Sequence, residues 1–227
     1  MNTRAEFGLL ACLAGASLCL CGRTPAEVTG ISHVHLLAKD TAPVKRLWID
    51  VLGSNAVRLG MLDGVQIQDA YVWIEQGTPS GGTDGSVIRH LGVRVRELDR
   101  VLVRAARNGF HVRQSSRNSA ELRAPDGVFI EVIGDPGMEA IARLDHLHLL
   151  VPDATLAKRW YSERFGPIPG IQLEFITAGS ASGPTKGRAI DHVGFSGSKL
   201  EKPGFLTDPW GLQIELTEDR LKRSQLR

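Results

Sequence analysis

The chain contains an internal repeat, and this repeat constrains the fold more than any other feature of the sequence. Residues 31–53 align without a gap on residues 144–166, and eight of the 23 positions are identical. Further along, residues 87–93 match residues 189–195, and residues 125–131 match residues 209–215. Self-similarity of this kind indicates repeated structural units. We therefore predict two copies of one domain, at residues 31–135 and 144–218.

The second copy is shorter than the first. The offset between matched segments falls from 113 to 102 and then to 84, so the second copy lacks 11 residues in its first half and 18 in its second half. In the first copy, those 18 residues fall where a helix is expected, since apolar residues recur at helical spacing over residues 98–106. We predict that the first copy is complete and the second is shortened.

Each copy opens with an apolar strand that a helix follows. In the first copy, Thr41 is the predicted N-cap and Pro43 fits the first turn. The apolar stripe of this helix comprises Val44, Leu47, Trp48, Val51 and Leu52. Strand-like runs follow near residues 56–61, 71–75, 90–95 and 128–133. The pattern predicts an α+β fold of tandem βαβββ modules.

Two histidines and one glutamate occupy matching positions in each copy. They are His33, His90 and Glu131 in the first copy, and His146, His192 and Glu215 in the second. Two imidazoles and one carboxylate, with other positions open, form a ligand set that suits divalent Fe, Mn, Ni, Co or Zn. All three cysteines lie within the first 21 residues. The predicted domains therefore contain no thiolate ligand.

A second histidine follows each predicted first-strand ligand. His35 and His148 come two residues after His33 and His146. Because side chains alternate along a strand, both histidines of each pair should face the same side. We predict catalytic roles for His35 and His148, either as general acid and base or as substrate contacts.

The motifs around these residues resemble those of the vicinal oxygen chelate superfamily, which includes glyoxalases, bleomycin-resistance proteins and extradiol dioxygenases. The similar segments are H-x-H-L-L-x-x-D, I-x-H-(L/V)-G and the closing turn that ends in G-x-x-I-E, and the likeness covers residues 31–218. The resemblance implies a cupped sheet that holds a metal, with ligands from the first strand of each half and from the final strand. By this resemblance, the three ligands of each copy form one site. An exchange of modules between the copies is also compatible with the resemblance.

Some members of this superfamily add a fourth metal ligand from the fourth strand. Near that place the first copy offers Glu75, with Trp73 in the competing alignment, and the second copy offers Glu174. The resemblance implies a metal-dependent dioxygenase, lyase or isomerase that acts on a small oxygenated molecule. The alternative is a non-catalytic protein that binds and sequesters a small ligand. Single-domain relatives usually pair, so either a homodimer is expected or the two copies within one chain take the place of that pairing.

The first 22 residues are typical of an export signal. An apolar run of about fifteen residues, Phe7 to Cys21, is shorter than the ~20 residues that span a bilayer. Cleavage after Ala14-Gly15-Ala16 and lipidation of Cys21 are the two processing routes that fit. The expected location is therefore periplasmic or membrane-anchored through a lipid. A net charge of +2 without a basic run does not favour nucleic acid as a partner.

Overall fold

The fold is mixed α+β, and the described residues form two β-sheets and three α-helices. The computed structural model describes residues 27–179, 182–199 and 203–218. The expected signal at residues 1–22 lies outside the described residues. Among the residues described, no helix is long and apolar enough to cross a membrane.

The first copy contributes eight strands and two helices. They are β1 (Glu27–Ala38), α1 (Thr41–Arg46), β2 (Asn55–Leu59), β3 (Leu62–Ile67), β4 (Ala70–Gln76), β5 (Ile88–Val95), α2 (Leu98–Arg107), β6 (His111–Gln114), β7 (Ser119–Arg123) and β8 (Phe129–Gly134). A π-helical turn, Leu47–Val51, extends α1, and a short 3₁₀ turn, Pro125–Gly127, precedes β8.

The second copy contributes five strands and one helix. They are β9 (Ala142–Val151), α3 (Ala154–Phe165), β10 (Gln172–Thr177), β11 (Ile190–Lys199), β12 (Gly204–Thr207) and β13 (Gln213–Glu218). Among the described residues of this copy, β2, β3, β6 and α2 have no counterpart. These losses account for the shrinking offset of the repeat.

The two copies exchange halves. The first sheet has the order β12-β13-β11-β1-β4-β3-β2, so it joins the first half of copy one to the second half of copy two. The second sheet has the order β10-β9-β5-β8-β7-β6, which joins the two remaining halves. The junctions are the antiparallel pairs β1/β11 and β5/β9. The grouping of ligands by copy is therefore wrong, because the residues of one copy lie in different sheets.

Alternation along β1 and β9 separates an apolar face from a histidine face. Val34, Leu36 and Ala38 are buried in the hydrophobic core, as are Leu147, Leu149 and Val151. The residues between them, including both His-x-His pairs, lie on the opposite face. Both sheets and all three helices contribute to one core. Burial of the apolar face thus fixes which side of each sheet carries the histidines.

The start of α1 differs from the sequence-based expectation. Asp40, not Thr41, is the N-cap, and its Oδ1 accepts a hydrogen bond from the Ala42 backbone N–H at 3.0 Å. Asp153 caps α3 in the same way by accepting from the N–H groups of Thr155 and Leu156. A carboxylate caps the exposed N–H groups of a helix end effectively. Each cap is the aspartate that closes the H-x-H-L-L-x-x-D motif.

Candidate metal centres

The exchange of halves gathers the predicted ligands into two clusters, one on each sheet. The first centre is defined by His33, His35, His192 and Glu215. The second centre is defined by His90, His146, His148 and Glu131. Each centre therefore draws on both copies, and all eight predicted site residues belong to one centre or the other.

In the first centre, one carboxylate oxygen lies between two imidazoles. Glu215 Oε2 is 3.0 Å from His33 Nε2 and 3.5 Å from His192 Nε2. The histidines of the first centre offer ring nitrogens that all lie within 4.8 Å of one another. Donors bound to one ion at ~2.1 Å are separated by roughly 3–4 Å. The donor atoms are thus close to the spacing that a single metal ion requires.

The Nε2 atoms of the three imidazoles in the first centre have no hydrogen-bond partner. The Nε2 atoms of His33, His35 and His192 are buried, and none of them makes a hydrogen bond of acceptable geometry. Buried polar atoms are normally paired, so these three nitrogens, two of which lie beside Glu215, require an explanation. A divalent metal fits this site, because imidazole nitrogen and carboxylate oxygen are its usual ligands.

The outer nitrogens of the same imidazoles are held by neighbouring side chains. Asp191 Oδ2 lies 2.7 Å from His192 Nδ1, and Ser32 Oγ lies 3.2 Å from His33 Nδ1. A hydrogen bond at Nδ1 directs Nε2 towards a metal and raises its basicity. The sequence signal for this support is an aspartate directly before a ligand histidine. It occurs twice in copy two, as Asp145-His146 and Asp191-His192.

Charge in the first centre is concentrated on Glu215. The close imidazoles of His192 and His33 hold the pKa of Glu215 well below its usual range, although burial opposes this shift. Burial also works against the charged form of His192, but Asp191 and Glu215 outweigh it and raise its pKa. Burial, followed by the nearby rings of His192 and His33, lowers the pKa of His35. An ionised carboxylate is therefore available beside His33 and His192.

The second centre repeats this arrangement with closer contacts between the imidazoles. His90 Nε2 lies 3.2 Å from His146 Nε2 and 3.0 Å from His148 Nδ1. Glu131 Oε2 lies 3.3 Å from His90 Nε2 and 3.5 Å from His146 Nε2. A ring nitrogen carries either one hydrogen or one lone pair, so His90 Nε2 cannot satisfy both neighbouring rings. A metal among these donors would resolve the conflict.

The surroundings of the second centre favour the neutral form of His90. Burial, then the neighbouring His148 and His146, lowers the pKa of His90 to about 3. Asp145 supports His146 at 3.2 Å between Nδ1 and Oδ2, and the Arg94 guanidinium donates to both oxygens of this carboxylate. His90 is therefore neutral, and the Asp145 carboxylate that supports His146 is ionised. Metal binding requires neutral imidazole ligands.

The two glutamates that the sequence analysis named as possible fourth ligands contact the second histidine of each pair. Glu75 Oε2 lies 3.2 Å from His35 Nε2, and Glu174 Oε2 lies 3.6 Å from His148 Nε2. In the β1/β4 pairing, Tyr71 is opposite His33, Trp73 is opposite His35, and Glu75 is opposite Leu37. Glu75 is therefore displaced along the strand from His33. Its side chain is 68% exposed.

A cavity of about 400 Å³ opens beside the first centre. Residues from β1, β3, β4 and the turn between β2 and β3 line it, among them His35, Met61, Asp63, Trp73 and Glu75. Trp73 stacks on Tyr71, with ring centroids 4.9 Å apart, and its buried Nε1 has no hydrogen-bond partner. Trp73 is therefore the aromatic residue of the cavity lining. The β2–β3 hairpin closes this cavity, and the described residues of the second copy contain no equivalent hairpin.

The paired modules, with a histidine face on each sheet, have the architecture that the sequence resemblance implied. Comparison with solved structures shows the same fold. Glyoxalase I from Zea mays is similar with a TM-score of 0.65 and 14% identity, over 87% of this chain and 95% of that one. A putative dioxygenase from Bacillus subtilis subsp. subtilis str. 168 has a TM-score of 0.59 and 11% identity, over 86% of each chain.

A third structure broadens the range of proteins that share this fold. The cppA protein from Streptococcus pneumoniae TIGR4 has a TM-score of 0.56 and 12% identity, over 85% of this chain and 99% of that one. No protein-family model matches the sequence, and no curated protein matches it. At these identities, the comparisons show the fold. What the chain does must be argued from its own site.

Proposed function

We propose that the protein is a divalent-metal-dependent enzyme of the dioxygenase, lyase or isomerase type, and that it acts on a small oxygenated molecule at the first centre. The observation that carries this proposal is the set of unpaired, buried Nε2 atoms facing Glu215 beside a cavity. His33, His192 and Glu215 would hold the metal. A metal with open positions supplies Lewis acidity, which polarises a substrate oxygen.

The surrounding residues of the chain position the ligands and the substrate. Asp191 and Ser32 fix the orientation of two imidazoles through their Nδ1 atoms. Trp73 lines the cavity and is held in place by stacking on Tyr71, so it offers an apolar surface to a bound molecule. Such a pocket, mostly apolar with a few directed polar groups, is typical of small-molecule sites. Planar oxygenated compounds are the substrates that match it.

The first centre is the proposed working site because the β2–β3 hairpin encloses a cavity beside it. The hairpin of β2 and β3 supplies Met61, Leu62 and Asp63 to the cavity. The corresponding hairpin is missing beside the second centre, where β10 forms the edge of the sheet. We propose that the second centre also binds a metal, with a structural role.

The proposal is tested by metal analysis of the untagged chain, purified without chelators. We expect bound Fe, Mn, Ni, Co or Zn, and a smaller metal content in the His33→Ala variant. A panel of catechols and of 2-oxoaldehyde adducts then tests turnover, which should vanish in the same variant while His146→Ala retains it. If the chain binds none of these ions after anaerobic reconstitution, a sequestering protein that needs no metal becomes the better account.

Export is a separate part of the proposal, and it rests on the sequence alone. We propose a periplasmic location, reached through the segment at residues 1–22, with a lipid anchor at Cys21 as one processing route. Cell fractionation tests this directly, since deletion of residues 1–22 should retain the protein in the cytoplasm. A homodimer is also proposed, and light scattering of the purified chain tests it.

A further inference from the structure

The second histidine of each His-x-His pair faces a histidine of the neighbouring strand. Across β1 and β11, His35 is the Cα partner of His192, and across β9 and β5, His148 is the partner of His90. The first histidine of each pair is opposite a glycine, which is Gly194 for His33 and Gly92 for His146. This register places three imidazoles together on one face of each sheet.

His35 meets the criteria of a ligand in the first centre. Its Nε2 is buried and makes no hydrogen bond, as is true of His33 and His192. The His35 and His192 rings are 4.5 Å apart between centroids, and the three histidines each present a nitrogen within 4.8 Å of the others. Glu75 competes for His35 at 3.2 Å, but that carboxylate is 68% exposed and is therefore well solvated.

We propose that His35 is a third imidazole ligand, so that the metal of the first centre is held by three histidines and Glu215. This inference rests on the proposed function and alters its ligand set, because His35 then binds the metal instead of serving as an acid or base. Three imidazoles favour borderline transition metals over Mg²⁺ or Ca²⁺. They also leave one position fewer for the substrate than a set of two histidines and a carboxylate.

The test counts the imidazoles that coordinate a spectroscopic probe. The full chain carries His90→Ala and His146→Ala, which remove the second centre, and it is loaded with one equivalent of Cu²⁺. Pulsed EPR should detect three coordinated imidazoles in this background, and two after His35→Ala is added. The dissociation constant for Co²⁺ should rise at least about tenfold in the same variant, given that even outer partners of ligands contribute 10–100-fold.

Glu75→Gln is the matched control, since it removes the competing partner of His35 but no proposed ligand. It should leave both the imidazole count and the Co²⁺ affinity unchanged. Two imidazoles in the background protein would overturn the inference and leave the proposed function intact. A background protein that binds neither ion would instead refute the proposed function at the first centre. The count in the background protein decides the question even if His35→Ala fails to fold.

Discussion

At the scale of single residues, two glycines create the space in which a ligand histidine lies. A Cβ atom added to Gly194 would overlap the ring of His33, and one added to Gly92 would overlap the ring of His146. Both rings are buried, so they have little room to move. The glycine that follows each I-x-H-(L/V) segment is therefore part of the centre, and not merely a strand residue.

Substitution of Gly194 by alanine should displace His33 and weaken metal binding at the first centre. We expect the dissociation constant to rise by roughly 10–100-fold, comparable to the loss of an outer partner of a ligand. Titration with Co²⁺ in a chain that lacks the second centre measures this change. Gly179→Ala is the control, because nothing lies within 4 Å of a Cβ atom at that position. Unchanged affinity in Gly194→Ala would show that His33 is not required.

Asp191 provides a second test at the same scale. Its hydrogen bond at 2.7 Å holds His192 Nδ1, while Asp145 holds His146 in the second centre. Asp191→Asn should therefore reduce metal affinity at the first centre by about 10–100-fold, and Asp145→Asn should act at the second centre alone. Metal content of each variant, measured after dialysis against a weak chelator, separates the two effects. Equal losses from both centres in either variant would contradict this assignment.

At the scale of elements, α3 is tied to the closing turn of the first sheet. Tyr161 Oη donates a hydrogen bond of 2.7 Å to Asp208 Oδ2, and both residues are buried. Asp208 also accepts from the backbone N–H groups of Trp210 and Leu212. The ring of Tyr161 stacks on that of Trp210, with centroids 6.3 Å apart. This contact joins α3, which lies between two strands of the second sheet, to the turn that precedes β13, the strand that carries Glu215.

Removal of the tyrosine hydroxyl should destabilise the fold. We expect Tyr161→Phe to lower the free energy of unfolding at pH 7 by about 1–3 kcal/mol, because it leaves a buried carboxylate oxygen with one partner fewer. Urea denaturation measures the change. A double-mutant cycle with Asp208→Asn is the control, and additive effects would show that the hydrogen bond contributes nothing.

The same pair predicts a pH dependence with a definite sign. Burial raises the pKa of Asp208, although the hydrogen bond from Tyr161 lowers it in part. Loss of the hydroxyl should raise this pKa further in the folded state. A raised folded-state pKa means that protonation favours the folded chain. The difference in stability between the wild type and Tyr161→Phe should therefore shrink as the pH falls.

Most elements of the fold could be predicted from sequence patterns, because they depend on local periodicity. The stripe beginning at Val44 identified α1, and the turn before Phe129 identified β8. The separate strand β3 and the π-helical turn at Leu47–Val51 lacked a distinct signal. The cap at Asp40 was missed because Thr41 is also a good capping residue. These errors concern element boundaries, where local preferences compete closely.

At the scale of the whole molecule, two crossover segments carry the exchange of halves. Residues 77–87 lead from the first sheet to the second, and the described part of the returning segment is residues 182–189. They hydrogen-bond to each other, as shown by the Val87 N–H to the Gly183 carbonyl at 2.9 Å and the Ala189 N–H to the Gly81 carbonyl at 2.9 Å. Arg188 adds donors to the carbonyls of Gly82 and Asp84. The glycine-rich segment at residues 77–85 is thus held against the returning segment.

The site residues could be predicted from the repeat, but their grouping could not. A repeat shows which positions are equivalent, and it placed His33 and His146 on equivalent strands. Whether β1 pairs with β5 or with β11 depends on packing between modules. Either pairing would present the same histidines on the same faces, so periodicity does not distinguish them. Only the strand order of each sheet resolves the choice.

Two double variants test the exchanged arrangement in solution. If the centres combine both copies, His90→Ala with His146→Ala removes only the second centre, and metal at the first centre should remain. His33→Ala with His90→Ala removes one ligand from each centre, so both should lose metal. Grouping by copy predicts the reverse, because His33 and His90 would then share one site. Elemental analysis of the two proteins, with circular dichroism to confirm folding, decides between the two arrangements. Metal bound as tightly as in the wild type by the His33→Ala, His90→Ala protein would contradict the exchange, because no centre with an intact ligand set would remain among the described residues.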